Sequence, residues 1–392
     1  MKKITIHNLP LFAFTIFSLL IFFIGGLNEK NVFAAEHDIK KDYLIMFNNT
    51  VDEQLIIKHG GVIKETFENL PIIKAEFSYN PEKVLKHNSN VSEVEVDQTI
   101  KALGDSNTQT NPSMTQSKSI NTIPFTGKGV SVAILDSGID TEHTDLKIKD
   151  GISFVENHPS FDDDNGHGTH LAGIVAAQDN ELGMTGIAPN VDLYAVKVLD
   201  KYTNGKYSTV VKGIDWAIEH NVNIVLMSLG GKKESAFFKE AMDKAYQKGI
   251  LLIASAGNEG YKDGNTISYP AKFQSVVAVG ALDKNDARGF LSSKGDELEL
   301  MAPGVDILST WKDGNYRLDS GTSMAAAHVA GVASLIFEKN PYLSNKQVRE
   351  IMNKAAISLG NAFEYGNGKI NVDYALNMAD LTLFNTNIIM LI

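Results

Sequence analysis

Five short, almost wholly apolar runs stand out along the chain: Val130 to Leu135, Leu193 to Val198, Ile224 to Met227, Leu251 to Ala254 and Val276 to Val279. Between them lie stretches of helical period such as Val210 to His220 and Phe237 to Lys248. An apolar run without a polar face reads as a strand buried on both sides, and its alternation with helices predicts an α/β fold with a mainly parallel central sheet covered in three layers. The chain upstream has a different texture. Asp42 to Phe47, Ile72 to Phe77 and Val91 to Val96 read as strands, with a helical pattern through Leu55, Ile56 and Ile57 that Gly60-Gly61 ends and a second helical segment starting near Pro81. This predicts a small α+β domain over 36–103. From Gly104 to Ser119 the composition turns to Asn, Thr, Ser, Gln and Pro, too polar for a core, which reads as an exposed, cleavable linker over 104–119. A larger domain follows over 120–378, and a Leu-, Ile- and Asn-rich tail over 379–392, too short to span a membrane, is given no role.

The extreme N-terminus alters the picture of where the protein works. Lys2 and Lys3 precede an apolar stretch from Leu11 to Ile24 and then Val32-Phe33-Ala34, the pattern of an export signal over 1–34 with a small-residue cleavage site. A retained membrane anchor is the alternative, since the apolar run is near the lower limit for a span. Export makes the protein extracellular, with cell-surface association left open. The 392 residues carry 36 basic and 47 acidic side chains, a net charge of -11, with no long Lys/Arg run to track a phosphate backbone, so nucleic acid is not expected as a partner. There is no cysteine, which excludes disulfides, thiolate chemistry and cysteine-based metal sites. Stability is then left to packing and bound ions.

Three motifs fall where strands end and helices begin, the region in which open α/β sheets gather their sites. Their order is Asp, His, Ser. Ala133-Ile134-Leu135-Asp136-Ser137-Gly138 delivers a carboxylate at the tip of a strand, which taken alone also reads as a turn or cap. Asn165-Gly166-His167-Gly168-Thr169-His170 sets an imidazole at the head of a closely packed helix; a carboxylate that fixes its tautomer lets it take a hydroxyl proton and return it to a leaving amine. His170 reads as a packed structural histidine, because no carboxylate follows at metalloprotease spacing. Gly321-Thr322-Ser323-Met324-Ala325 opens a helix apolar on all sides, and its free N–H groups and dipole favour a developing oxyanion beside Ser323, which as a bare helix cap would have no chemistry.

With Ser255-Ala256-Gly257-Asn258-Glu259-Gly260 and Met227-Ser228-Leu229-Gly230-Gly231, these strings resemble the subtilisin family of serine proteases, from about Thr126 to Asn371. The resemblance implies that Asp136 orients His167, that His167 is general base and acid, that Ser323 attacks the scissile carbonyl, and that Asn258 supplies the side-chain oxyanion donor. It implies a substrate-binding edge at Ser228, Leu229 and Gly230, a pocket for the fourth residue before the cut shaped by Tyr207 and Val210, and a primary pocket bounded by Ala256, Gly257, Glu259 and Ser268. It further implies a structural calcium ion held by Asp145, Gln178, Asn180, Leu182 and Met184, with the family's N-terminal ligand not placed between Gly104 and Ile123. Tyr269-Pro270 resembles a family turn with a cis peptide. Two departures are apolar: Ala327 stands where the family usually has proline, and Leu226 where asparagine is common. Met324 beside the nucleophile implies sensitivity to peroxide. The 36–103 domain resembles the family's propeptides, which assist folding and occupy the cleft until self-cleavage, here expected within Leu103 to Ser119. The resemblance thus implies a monomeric secreted endopeptidase acting on peptide or protein substrates, with its own propeptide as inhibitor. Broad degradation and dedicated processing, such as removal of a lantibiotic leader, stay open, and a catalytically inactive peptide-binding relative is the alternative from a different class.

Overall fold

The computed structural model describes residues 40–103 and 123–389, with side chains up to residue 380. The proposed export signal over 1–34, the whole linker over 104–119 and residues 120–122 lie outside the described residues. Residues from Lys41 onward form one compact unit.

Its N-terminal lobe contains β1 (Lys41–Phe47), α1 (Glu53–Lys58), β2 (Val62–Thr66), β3 (Ile72–Phe77), α2 (Glu82–Leu85) and β4 (Val91–Val96). The four strands make an antiparallel sheet in the order β2-β3-β1-β4. Asp52 starts α1 by accepting the Leu55 N–H at 2.9 Å. The lobe has its own core of Tyr43, Ile45, Phe47, Ile56, Ile73, Phe77, Leu85, Val91 and Val94. Past β4 the chain extends once more as β5 (Thr99–Ala102), which leaves the lobe and pairs elsewhere.

The larger part runs β6 (Ser131–Asp136), β7 (Ile148–Ser153), α3 (His167–Ala176), β8 (Asp192–Lys197), β9 (Asn204–Lys206), α4 (Tyr207–Glu219), β10 (Ile224–Met227), β11 (Leu229–Gly230), α5 (Ala236–Gln247) and β12 (Leu251–Ser255). It continues with β13 (Val276–Leu282), β14 (Leu298–Pro303), β15 (Ile307–Trp311), β16 (Asn315–Asp319), α6 (Thr322–Lys339), α7 (Asn345–Ala355), α8 (Ala362–Tyr365) and α9 (Val372–Ile389). Seven strands form one parallel sheet, ordered β14-β13-β12-β10-β6-β8-β7. The two-residue period of a strand explains the layers. Val132, Ile134, Ile224, Leu226, Ile253 and Val277 face a core shared with α3, α6, α7 and α9. Ala133, Leu135, Val225, Met227, Leu252 and Ala278 face the opposite core, shared with α4 and α5. The expected three-layer α/β architecture is therefore the observed one, and Leu226 and Ala327 are fully buried within its first core. The α9 helix runs straight across the expected boundary at residue 378.

The lobe docks on the α4 and α5 side. Its Leu44, Phe67, Leu70 and Ile72 join the second core rather than the lobe's own. Asp97 accepts the Ser208 N–H (3.1 Å) and hydroxyl (2.7 Å) at the start of α4, and Glu95 accepts the Ala236 N–H (2.9 Å) at the start of α5. A helix leaves its first N–H groups without internal partners, so carboxylates there meet both a hydrogen-bonding need and the positive end of the dipole. Lys74 supports the arrangement by pairing with Asp97 at 3.0 Å and Asp42 at 3.2 Å.

Candidate active site

The C-terminal edge of the sheet brings the three motifs together. Asp136 closes β6, His167 opens α3, and Ser323 lies in the first turn of α6; all three are buried. His167 Nδ1 is 2.7 Å from Asp136 Oδ1, so the ring donates to the carboxylate and Nε2 is left as the proton-accepting nitrogen. Nε2 is buried and has no hydrogen-bond partner in this structure. The Ser323 hydroxyl instead donates to the Ser228 carbonyl at 3.3 Å, and a rotation about its Cα–Cβ bond is what would aim it at the imidazole.

Burial pulls the His167 imidazolium towards deprotonation, but the charge of Asp136 and its hydrogen bond, aided by Asp319 and Asp163, outweigh this and raise the pKa above the ordinary histidine value. His170 behaves differently. Its Nε2 bonds the carbonyls of Ile307 and Arg317, burial depresses its pKa to about 3, and it is neutral, in keeping with a packing role. Asp163, which the sequence did not single out, braces the loop ahead of α3. It accepts from the Ser137 hydroxyl (2.9 Å), the Thr169 hydroxyl (2.6 Å) and the N–H groups of Asn165, Gly166 and Thr169, while burial raises its pKa.

Asn258 follows β12 and Gly257. Its Oδ1 accepts from both the N–H (3.0 Å) and the hydroxyl (2.9 Å) of Thr322, which fixes the amide so that Nδ2 points into the cleft. Nδ2 donates to a carbonyl already there, that of Leu103. Gly321 lets these groups approach: its φ is +153°, and a Cβ would stand 2.8 Å from Asn258 Nδ2 and 2.9 Å from the Leu103 oxygen.

Leu103 is the last described residue of the segment that leaves the N-terminal lobe. Strand β5 lies between β11 and β9 in an antiparallel three-stranded sheet, with Ala102 opposite Leu229 and Ile100 opposite Gly205. The Leu103 N–H donates to the Ser228 carbonyl at 3.1 Å, so the segment pairs along Ser228, Leu229 and Gly230. The Leu103 side chain covers Gly230, whose absent Cβ would meet Leu103 Cδ1 at 2.7 Å and Ser268 Oγ at 2.7 Å. Ser268 bonds the Ala256 carbonyl through its N–H at 2.9 Å, and Gly257 lies against the Ser268 and Ser293 hydroxyls, so Ala256 and Gly257 lie next to Ser268. Glu259 is turned to Lys232 (2.7 Å) and Lys262 (2.8 Å), whose hydrogen bonds hold its pKa down. Ile100, 1% exposed, joins the apolar cluster of Tyr207, Val210 and Leu229. Tyr207 stacks on Phe238 and donates its hydroxyl to the Lys233 carbonyl at 2.7 Å; burial pushes its pKa up to about 12.

The resemblance had the 36–103 domain occupy the cleft, but the sequence did not mark Thr99 to Leu103 as the part of it that lies against Ser228 to Gly230. The available signal was its place, at the junction between the small domain and the polar linker. The Tyr269–Pro270 peptide is cis, as expected. Met324 is fully buried under the site.

On the far side of α3, Asp145 is 0% exposed. Its Oδ2 accepts from the Tyr316 hydroxyl at 2.9 Å and from the Met184 N–H at 3.4 Å, whereas Oδ1 is buried without a partner. Burial is the leading cause that raises its pKa. Gln178 and Asn180 approach it from the loop after α3: the Gln178 N–H donates to the Asp145 carbonyl at 2.9 Å, and the Asn180 amide opposes the effect of burial on the carboxyl pKa. Asn180 Oδ1 itself accepts the Leu182 N–H at 2.8 Å. An orphaned carboxylate oxygen beside a loop rich in oxygen donors fits a hard divalent cation.

This constellation, a carboxylate-held imidazole beside a helix-borne serine with an amide donor across a strand-lined cleft, defines a serine hydrolase that acts on extended peptides. Comparison with known proteins is specific. Residues 127–368 match the subtilase family. Subtilisin E of Bacillus subtilis (strain 168) is 40% identical over 378 residues, covering 93% of this chain and 97% of that protein. A thermostable alkaline protease of Halalkalibacterium halodurans is 40% identical over 347 residues (87% and 94%). Subtilisin DY of Bacillus licheniformis is 51% identical over 252 residues (64% and 92%). The chain belongs to the subtilase family, and it is a serine endopeptidase.

Proposed function

We propose that this chain is the precursor of a secreted subtilisin-like endopeptidase that matures by cutting its own Leu103–Gly104 bond. In this reading His167, oriented by Asp136, takes the Ser323 proton as the hydroxyl attacks the scissile carbonyl. The tetrahedral oxyanion is held by Asn258 Nδ2 and the head of α6, and His167 then protonates the leaving amine. An acyl-enzyme forms and water hydrolyses it by the reverse of the same proton transfers. The single observation that carries this is the Leu103 carbonyl lying against Asn258 Nδ2 while β5 pairs with β11. Residues 36–103 then act as an intramolecular inhibitor and residues 1–34 as the export signal; among the described residues no helix is long and apolar enough to cross a membrane. The coverage of 93% of the chain by the match to subtilisin E, well beyond 127–368, supports a shared precursor layout.

The seated residues also suggest what the mature enzyme takes: an extended segment with a medium-sized apolar residue before the cut, as Leu103, and another at the fourth position before it, as Ile100. Tyr207 and Val210 receive the latter, and Ser228, Leu229, Gly230, Ala256, Gly257 and Ser268 receive the former, with Glu259 at its polar rim. Such a segment occurs in broad extracellular protein and in a dedicated peptide precursor alike. Calcium fits the Asp145 loop, held by Asp145 and by oxygens of Gln178, Asn180, Leu182 and Met184, and its contribution there is to stabilise the loop. The enzyme acts as a monomer in this reading.

The test is intact-mass spectrometry of the exported wild type and a Ser323→Ala twin, followed by cleavage of an unbiased peptide library. The reading requires that the wild type alone yield a mature chain starting at Gly104 and then cut peptides. A different mature N-terminus rejects the Leu103 assignment, and processing of the Ser323→Ala protein rejects the triad. The library profile separates broad from dedicated cleavage.

A further inference from the structure

We propose that Lys197 is a positioning residue for the Asp136–His167 pair, an inference that rests on the triad reading above. Lys197 ends β8 in register with Asp136 at the end of β6, so the two side chains rise on the same face of the sheet at its C-terminal edge. Among the described residues it is the one lysine or arginine in the buried set, 1% exposed. An ammonium is costly to bury unless each of its protons finds a partner, and a strand end that wanted only packing would carry an apolar side chain. The partners here are specific. Nζ donates to the Ser137 carbonyl and to Asp164 Oδ1 at 2.6 Å.

Those two groups belong to the two segments that carry the acid–base pair. Ser137 directly follows Asp136, and Asp164 lies in the loop that leads into His167. One ammonium therefore clips the turn after the carboxylate to the loop before the imidazole. The neighbouring Ser137 hydroxyl makes a second clip, donating to Asp163 at 2.9 Å and accepting the Gly168 N–H at 3.0 Å. Charge points the same way. Asp136 from β6, Asp163 from the loop and Asp319 from β16 act on the imidazole as carboxylates, His158 lies 4.0 Å from the neighbouring Asp164, and His170 on the same helix is neutral. Lys197 is the cation set among them. Its loss frees the Ser137 carbonyl and removes a buried cation from the loop that leads into His167, with Arg317 of β16 the other cation on that side of α3, so the imidazole holds its proton more tightly and misses its aim at Ser323 more often.

Wild type, Lys197→Met, Lys197→Arg and Asp164→Ala are made as full chains, matured, quantified by mass and assayed on one peptide substrate across pH. The expected result for Lys197→Met is a kcat lower by about tenfold or more with KM changed by less than about threefold, together with an acid limb of kcat/KM displaced to higher pH; Lys197→Arg recovers part of the kcat. A kcat within about threefold of wild type, or an acid limb that does not move, overturns the proposal. A purely structural lysine would lower thermal stability and leave the limb of the surviving enzyme in place. If Lys197→Met does not yield mature protein, Asp164→Ala decides, because its side chain is partly exposed and tolerates removal. A kcat loss of about threefold or more at unchanged KM then supports the clip, and a smaller loss overturns it. Failure of the wild type itself to cut peptides would sink the triad reading instead, and is distinguishable from either outcome.

Discussion

Shortening Ile100 tests how the N-terminal segment blocks the cleft. Ile100 is 1% exposed and belongs to the cluster of Tyr207, Val210 and Leu229, not to the lobe's own core around Ile45, Ile73 and Phe77. Its truncation therefore weakens docking without loosening the lobe. Ile100→Ala removes three carbon groups; at about 0.8 kcal/mol each this is about 2.4 kcal/mol before any cavity term, or roughly 50-fold in affinity. Ile100→Val removes one, about 0.8 kcal/mol and roughly fourfold. The assay is inhibition of the mature enzyme by residues 36–103 supplied as a separate chain, with the inhibition constants of the three versions compared. Any cost of folding the lobe is common to all three and cancels. The order wild type, Val, Ala is required, and a change below about threefold for Ala refutes the claim that this pocket carries a large share of the binding.

Removal of the Asn258 amide by Asn258→Ala is expected to lower kcat by about 10²–10³ with little change in KM, a magnitude supplied by oxyanion-hole mutagenesis on a subtilisin; steady-state kinetics on a short peptide checks it. The His167 imidazole works as a base only when neutral, so kcat/KM should fall as pH drops through its raised pKa, giving an acid limb above the ordinary histidine value, and Asp319→Asn should move that limb to lower pH. A pH profile of the two enzymes shows whether it does. Calcium in hundredfold excess over its dissociation constant should stabilise the native protein by about 2.7 kcal/mol, and chelator should shorten the half-life at elevated temperature in the wild type but not in Asp145→Ala.

The sheet was legible because its strands, buried on both faces, are almost wholly apolar: each of the five apolar runs is a strand of the parallel sheet. The triad was legible because Asp136, His167 and Ser323 sit in short strings whose glycines and small residues are dictated by close packing. What the sequence hid has a common cause. Strands β5, β9 and β11 are short pieces that exist as strands only because they pair with one another, and Thr99 to Ala102 shows no period long enough to read. The β15–β16 hairpin did carry a local signal, Asp313-Gly314 at φ +62° and +67°, which identifies the turn once both flanks are known to be strands. Lys197 and Asp163 escaped because a charge at a strand end, or one of three consecutive aspartates in a loop, ordinarily faces water. Composition misled at the C-terminus, where the Leu- and Asn-rich change after Ala379 falls inside α9 and is no structural boundary.

One consequence joins the lobe to the timing of activity. The contacts that hold the segment 36–103 on the enzyme do not run through the Leu103–Gly104 bond. They include the burial of Leu44, Phe67, Leu70 and Ile72 in the second core, the Ile100 pocket, the β5 pairing with β9 and β11, and the carboxylates of Asp97 and Glu95 at the heads of α4 and α5, each such cap contributing about 1 kcal/mol. Hydrolysis of a single peptide bond leaves all of them in place. On the proposed maturation, the same capping that completes two helices would keep the new C-terminus in the cleft after the cut, and activity is then expected to lag behind cleavage until the segment dissociates or is itself degraded. Weakening the caps or the Ile100 pocket should shorten that lag without changing the rate of the first cut, which separates the roles of the lobe in folding, inhibition and release.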